Sequence, residues 1–90
     1  MRNVRTHWFN GVRYDICIDP ALVHGMCDDP DDPTPSIHVF EDISTKRGFE
    51  TVVHEAMHAA LWKLSEEDVT RAAGEITGLL WRLGFRLRKR

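Results

Sequence analysis

Ninety residues, of which 42% are hydrophobic and 29% charged, describe one small globular domain over 1–90 with no room for a second. Such a chain buries only about 60–65% of its unfolded surface, so a bound metal would add useful stability. A net charge of −2 selects no partner, and no apolar run approaches the ~18–20 residues of a bilayer span.

MRNVRTHWF, at the start, lacks the apolar stretch of a secretory signal, so a cytoplasmic location is expected, with Cys17 and Cys27 reduced. Asn10-Gly11 then separates two strand-like runs within RTHWFNGVRYDICI, a hairpin signal because both central residues of a type I′ turn need positive φ. A two-residue turn pairs Phe9 with Val12 and His7 with Tyr14. Val12, Tyr14, Ile16 and Ile18 then share the core face with Phe9, and His7 reads as a half-buried strand histidine. GMCDDPDDPTP, residues 25–35, combines glycine, prolines and aspartates and reads as a surface loop; the prolines break the ligand spacing of a calcium loop. SIHVFEDI, residues 36–43, reads as another strand.

Helical periodicity begins after it, over STKRGFETVVHEAMHAALWKL (44–64), with Ser44 or Thr45 as cap. Ser65 caps the next helix, with Asp68 three residues on, and the two helices form an antiparallel hairpin. Val69, Ala72, Ala73, Ile76, Leu79, Leu80 and Leu83 form the apolar stripe of the second helix, which ends near Gly84. The basic segment RLGFRLRKR (82–90) reads as a solvated tail too short to bind nucleic acid by itself.

VVHEAMHAALW carries the chemistry. In a helix, His54 and His58 project from one face a turn apart, so both imidazoles reach one ion at about 2.0–2.1 Å. Glu55 flanks that face, where it can take a proton from water without being a ligand. Two satisfied histidines on a core helix are the plain alternative. A catalytic zinc needs a third ligand, and Glu66, Glu67, Asp68 and Glu75 are the acidic candidates. Glu75 is the preferred one, because a helix turn at Leu64-Ser65 leaves His54 and Glu75 level, each ~15 Å from it. Glu66, Glu67 and Asp68 are explained by the positive end of the helix, with Glu67 or Asp68 as the rival if the first helix ends early. Glu50 could orient His54, though an exposed acid is the simpler reading. The 36–43 strand is expected at the sheet edge, where it would pair with an extended substrate; His38 on it reads as a surface histidine, with oxyanion assistance as its functional alternative.

At these residues the chain resembles the gluzincin class of zinc metallopeptidases, whose thermolysin-like members add a downstream glutamate to HExxH. It is more closely similar to small phage- and prophage-encoded HExxH proteins, over YDICIDPAL, HGMCDDP, VVHEAMHAALW and LSEEDVTRAAGEITGLLWRLGFR. The resemblance implies zinc on His54, His58 and Glu75, with Glu55 as base and a peptide or protein as substrate. The expected fold is α+β, a small antiparallel sheet packed on a two-helix hairpin. The alternative function is a binding module, metal-free or with structural zinc closed by Cys27 or another histidine, that docks a protein or nucleic-acid partner.

Overall fold

Asn10 and Gly11 have φ of 52° and 79°, the paired positive values that a two-residue hairpin requires. They join β1 (Thr6–Phe9) to β2 (Val12–Ile18), with His7 opposite Tyr14 and Phe9 opposite Val12 as the turn length dictates. The structure, a computed structural model, describes residues 4–19 and 25–87. Residues 1–3 and the last three of the basic segment lie outside the described residues, as does the stretch from 20 to 24.

The segment expected to be wholly loop opens with a short strand, β3 (Gly25–Cys27). Its remainder is folded by its own aspartates. Asp28 Oδ2 accepts from the Ser36 amide at 3.0 Å and hydroxyl at 2.9 Å, while Asp29 and Asp32 accept from amides two residues on. These acids are occupied in holding turns, the usual work of aspartate in such a loop.

β4 (Ser36–Val39) follows, and the strand order is β1-β2-β4-β3. β4 runs parallel to β2, with Ile16 beside Ile37, and antiparallel to β3, with Met26 beside His38. The sheet is therefore mixed, and β4 is an interior strand. The edge expected of it belongs to β3, because β4 has a hydrogen-bonded neighbour on both sides and cannot accept a further one.

Tyr14, Ile37 and Val39 are buried against Ala59, with Phe9, Val12, Ile16, Ile18, Cys27 and Ile43 around them. Ala59 belongs to α1 (Lys46–Ala60), which lies against β3 and β4 and carries α2 (Glu66–Arg82) on another side. Thr45 caps α1 by accepting from the Gly48 amide at 3.0 Å, and Ser65 caps α2 by accepting from the Asp68 amide at 3.0 Å. Gly48 is buried where residues 42–43 cross the first turn; a Cβ there would sit 2.6 Å from the Asp42 carbonyl carbon.

Two expectations about the helices fail. α1 ends at Ala60 rather than at Leu64, since Leu61 leaves helical geometry at φ −134° and ψ 60°. In α2 the buried line is Val69, Ala73 and Thr77, whereas Ile76, Leu79 and Leu83 are 42%, 59% and 64% exposed. Among the described elements α2 packs chiefly on α1, and one neighbour covers only part of so wide a stripe. No described helix is long and apolar enough to cross a membrane.

Candidate metal centre

His54 and His58 project from α1 one turn apart, and their Nε2 atoms come within 3.2 Å of each other. The early end of α1 decides what meets them. The chain reverses over residues 61–65, helped by a Leu64 amide to Leu61 carbonyl bond of 3.0 Å, and brings the first residue of α2 back over the histidines. Glu66 Oε1 lies 2.8 Å from His54 Nε2, and Glu66 Oε2 lies 2.6 Å from His58 Nε2.

These three side chains are the metal-competent group among the described residues, with ligand atoms all within 4.8 Å of one another. Tetrahedral coordination with arms of about 2.0–2.1 Å separates ligand atoms by roughly 3.3 Å. The observed spacings are slightly tighter, so a small outward movement of the Glu66 carboxylate admits an ion. The histidines are 20% and 14% exposed in their side chains and Glu66 is 70% exposed, so two of the three metal-competent groups are enclosed by the fold and the third stands at the surface.

Glu75 is not brought to this group, nor are Glu67 and Asp68. Glu75 lies nine residues after Glu66, about two and a half helical turns, and so points from the opposite side of α2. There it accepts from Arg71 Nη1 at 2.9 Å. Asp68 faces the same arginine at 3.9 Å, and Glu67 is exposed. Glu66 had a sufficient explanation as a first-turn acid at a positive helix end. The overlooked signal was its place directly after the cap of a very short helix connection.

Glu55 is buried, 6% exposed, and stands beside the group without joining it. β3 passes close above it: a Cβ on Gly25 would lie 2.9 Å from Glu55 Oε2, 2.8 Å from Thr51 Cγ2 and 3.0 Å from the His38 carbonyl oxygen. Glycine is what permits that approach. Burial pushes the Glu55 carboxyl above its ordinary range, with the two histidines opposing. For Glu66, burial would act in the same direction, but His54 and His58 outweigh it and hold the carboxyl below its ordinary range.

Two clefts share Gly25, His54, Glu55 and Glu66. One, of ≈ 320 Å³, extends along α1 past Thr51, Glu50 and Arg47; the other, of ≈ 250 Å³, extends past Met26, Cys27 and Trp62. Glu41 braces the first, accepting from Arg47 Nε at 2.9 Å and from the Thr51 hydroxyl at 2.8 Å. Glu50 lines this cleft, and among the described residues no hydrogen bond joins it to His54. The Cys27 thiol donates to the Asp28 carbonyl at 3.5 Å rather than turning to the histidines. Burial, and then the charge of Glu55, push that thiol up to about 11.

The remaining histidines are elsewhere. His38 shares a hydrogen bond of 2.9 Å with Ser36 Oγ and lies on Phe40. Since Ile37 and Val39 turn toward Ala59, alternation sends His38 to the other face of the sheet. His7 packs on Phe9 at 4.8 Å but is exposed rather than half-buried.

Comparison with protein-family models, with curated proteins and with solved structures finds no match to this chain.

Proposed function

We propose that this chain is a zinc-dependent metallopeptidase, with His54, His58 and Glu66 as ligands and Glu55 as general base. The observation that carries the reading is the convergence of two imidazole nitrogens and a carboxylate beside a second, buried carboxylate that is not one of them. Three protein ligands leave one tetrahedral position open, the pattern of catalytic rather than structural zinc, and the nitrogen and oxygen donors suit that ion. The proposal keeps the resemblance to gluzincins while replacing Glu75 by Glu66.

Zinc in such a site supplies Lewis acidity, bringing the pKa of water toward ~7 and polarising a carbonyl. Glu55 accepts the proton of the attacking water as the new C–O bond forms. It returns that proton to the amide nitrogen as the C–N bond breaks, leaving one new carboxyl group and one new amine. β3 supports a peptide as substrate, because it is the edge strand of the described sheet and lies close to Glu55, where an extended chain can add as a further strand. A reducing, cytoplasmic setting suits the two free thiols.

A structural zinc module would need a fourth ligand, expected from Cys27 or another histidine; Cys27 is directed at Asp28 instead, while His38 bonds Ser36 and His7 packs on Phe9. Elemental analysis and the absorption spectrum of the cobalt-substituted protein test the metal site independently of turnover. A parent chain that binds neither metal after reconstitution overturns the proposal.

A further inference from the structure

Glu50 stands on α1 one turn before His54, half-buried, and lines the larger of the two clefts that meet at the metal-competent group. Among the described residues it makes no hydrogen bond and no ion pair, which sets it apart from its acidic neighbours. Glu41 has both oxygens taken, Oε1 by Arg47 Nε at 2.9 Å and Oε2 by the Thr51 hydroxyl at 2.8 Å, and so belongs to a neutral pair. Glu66 is turned to His54 and His58. Of the acids in this cleft outside the proposed centre, Glu50 therefore keeps a charge that no described residue offsets. Glu55, 6% exposed and also without a hydrogen-bond partner among the described residues, lines the same cleft, so a second, enclosed polar group faces whatever enters it.

The unoffset charge selects the occupant. Glu41 and Glu50 do not gather with a third ligand atom into a metal-competent group among the described residues, so a bare ion finds no cage there. A lysine or arginine carried in on an extended chain needs none, because its ammonium or guanidinium reaches a single carboxylate through charge-assisted hydrogen bonds. An aspartate or glutamate in the same place would face a like charge. The second cleft differs: beyond the shared residues and His58 it is lined by Met26, Cys27 and Trp62, with no acid added. A chain crossing His54 thus meets an acidic arm on one side and an apolar arm on the other. Four residues of α1 span ~6 Å, close to two residues of extended chain at ~3.3 Å each, so the Glu50 arm lies about two residues from a peptide bond held over His54.

We infer that the cleft beside Glu50 is a subsite for a cationic side chain, and that Glu50 selects peptides with lysine or arginine within about two residues of the bond cleaved. The inference rests on the peptidase reading for the bond that is cut, but the subsite itself needs neither zinc nor turnover.

Two measurements separate the subsite from the peptidase reading. In the first, N-acetylarginine amide is titrated into the full chain to millimolar concentration and followed by amide NMR shifts, with N-acetylnorleucine amide as the neutral control. The arginine compound should move the Gly25, Glu50 and Thr51 amides and the norleucine compound should not; Glu50→Gln, which keeps the side chain's size, should abolish the response. In the second, the zinc-loaded chain is incubated with a mixture of random peptides and the cut sites are read by mass spectrometry. Lysine and arginine should be enriched at one position within about two residues of the cut. Glu50→Gln should lower kcat/KM for those peptides about tenfold, the loss of one charge-assisted bond, and Glu50→Lys should move the enrichment to aspartate and glutamate. Arginine binding that Glu50→Gln abolishes, in a chain that cuts no peptide, sinks the peptidase reading and supports the subsite. Unmoved amides, cut sites without lysine or arginine enrichment, or a preference that survives Glu50→Lys overturn the inference.

Discussion

Glu66 Oε2 lies 2.6 Å from His58 Nε2, although the two side chains belong to different helices. Under the proposed function, this contact singles out Glu66 among the acidic residues of α2 as the third ligand. The parent is expected to bind one zinc per chain. His58→Ala and Glu66→Ala should weaken binding by more than the 10–100-fold typical of losing an outer partner, whereas Glu75→Ala should leave metal content unchanged. Metal analysis after dialysis reads the difference, and full zinc retention by Glu66→Ala would return the third ligand to open choice.

Glu55 stands beside the metal-competent group without belonging to it, so its removal should separate chemistry from binding. Glu55→Gln is expected to keep zinc and to lower peptide hydrolysis by about 10²–10⁴-fold, the usual contribution of a positioned base. Cleavage at the parental rate by a zinc-loaded Glu55→Gln protein would exclude the role.

The glycines predict opposite outcomes at different positions. At Gly48 a Cβ meets the backbone of Asp42 and Ile43, which cannot rotate aside, so Gly48→Ala should lower the melting temperature by many degrees. At Gly74 a Cβ meets nothing within 4 Å, and the position is inside a helix. Gly74→Ala should therefore add ~0.5–1 kcal/mol, or several degrees in a chain of this size. Thermal unfolding followed by circular dichroism measures both; a stabilised Gly48→Ala protein would contradict the packing at the start of α1.

Tyr14 and Cys27 make stability fall in alkali. Burial, followed by the neighbouring thiol, pushes the Tyr14 hydroxyl up to about 12, and burial with the Glu55 charge pushes Cys27 from 9.0 to about 11. Both groups are neutral when protonated, and the folded state holds their protons more tightly than the unfolded chain does. Their contribution is complete below pH 9 and is lost as pH rises to about 11 for Cys27 and about 12 for Tyr14, at up to about 1.4 kcal/mol per pH unit for each group. Urea midpoints measured upward from pH 8 should decline above pH 9, and Cys27→Ala should flatten the first part of that decline. An unchanged profile in Cys27→Ala would remove the thiol from the account.

Much of the fold was legible because its determinants are local. Asn10-Gly11 needed positive φ and thereby set the pairing of His7 with Tyr14, while Thr45 and Ser65 marked helix starts through bonds spanning only three residues. His54, Glu55 and His58 were placed together by helical pitch alone. β3 was hidden for the opposite reason: three residues next to an aspartate-rich loop carry little periodicity, and they are a strand only because β4 lies alongside.

The sequence by itself determined the hairpin register, the helix starts and the two histidines on one face, since each depends on dihedral preferences and bonds within a few residues. Only the tertiary structure decided the third metal-competent residue, the sheet edge above Glu55 and the side of α2 left uncovered. Those depend on α1 stopping at Ala60 and on which elements then come to lie against it. A helix end shifted by four residues turns a different carboxylate toward the histidines, and no periodicity within α2 carries that information.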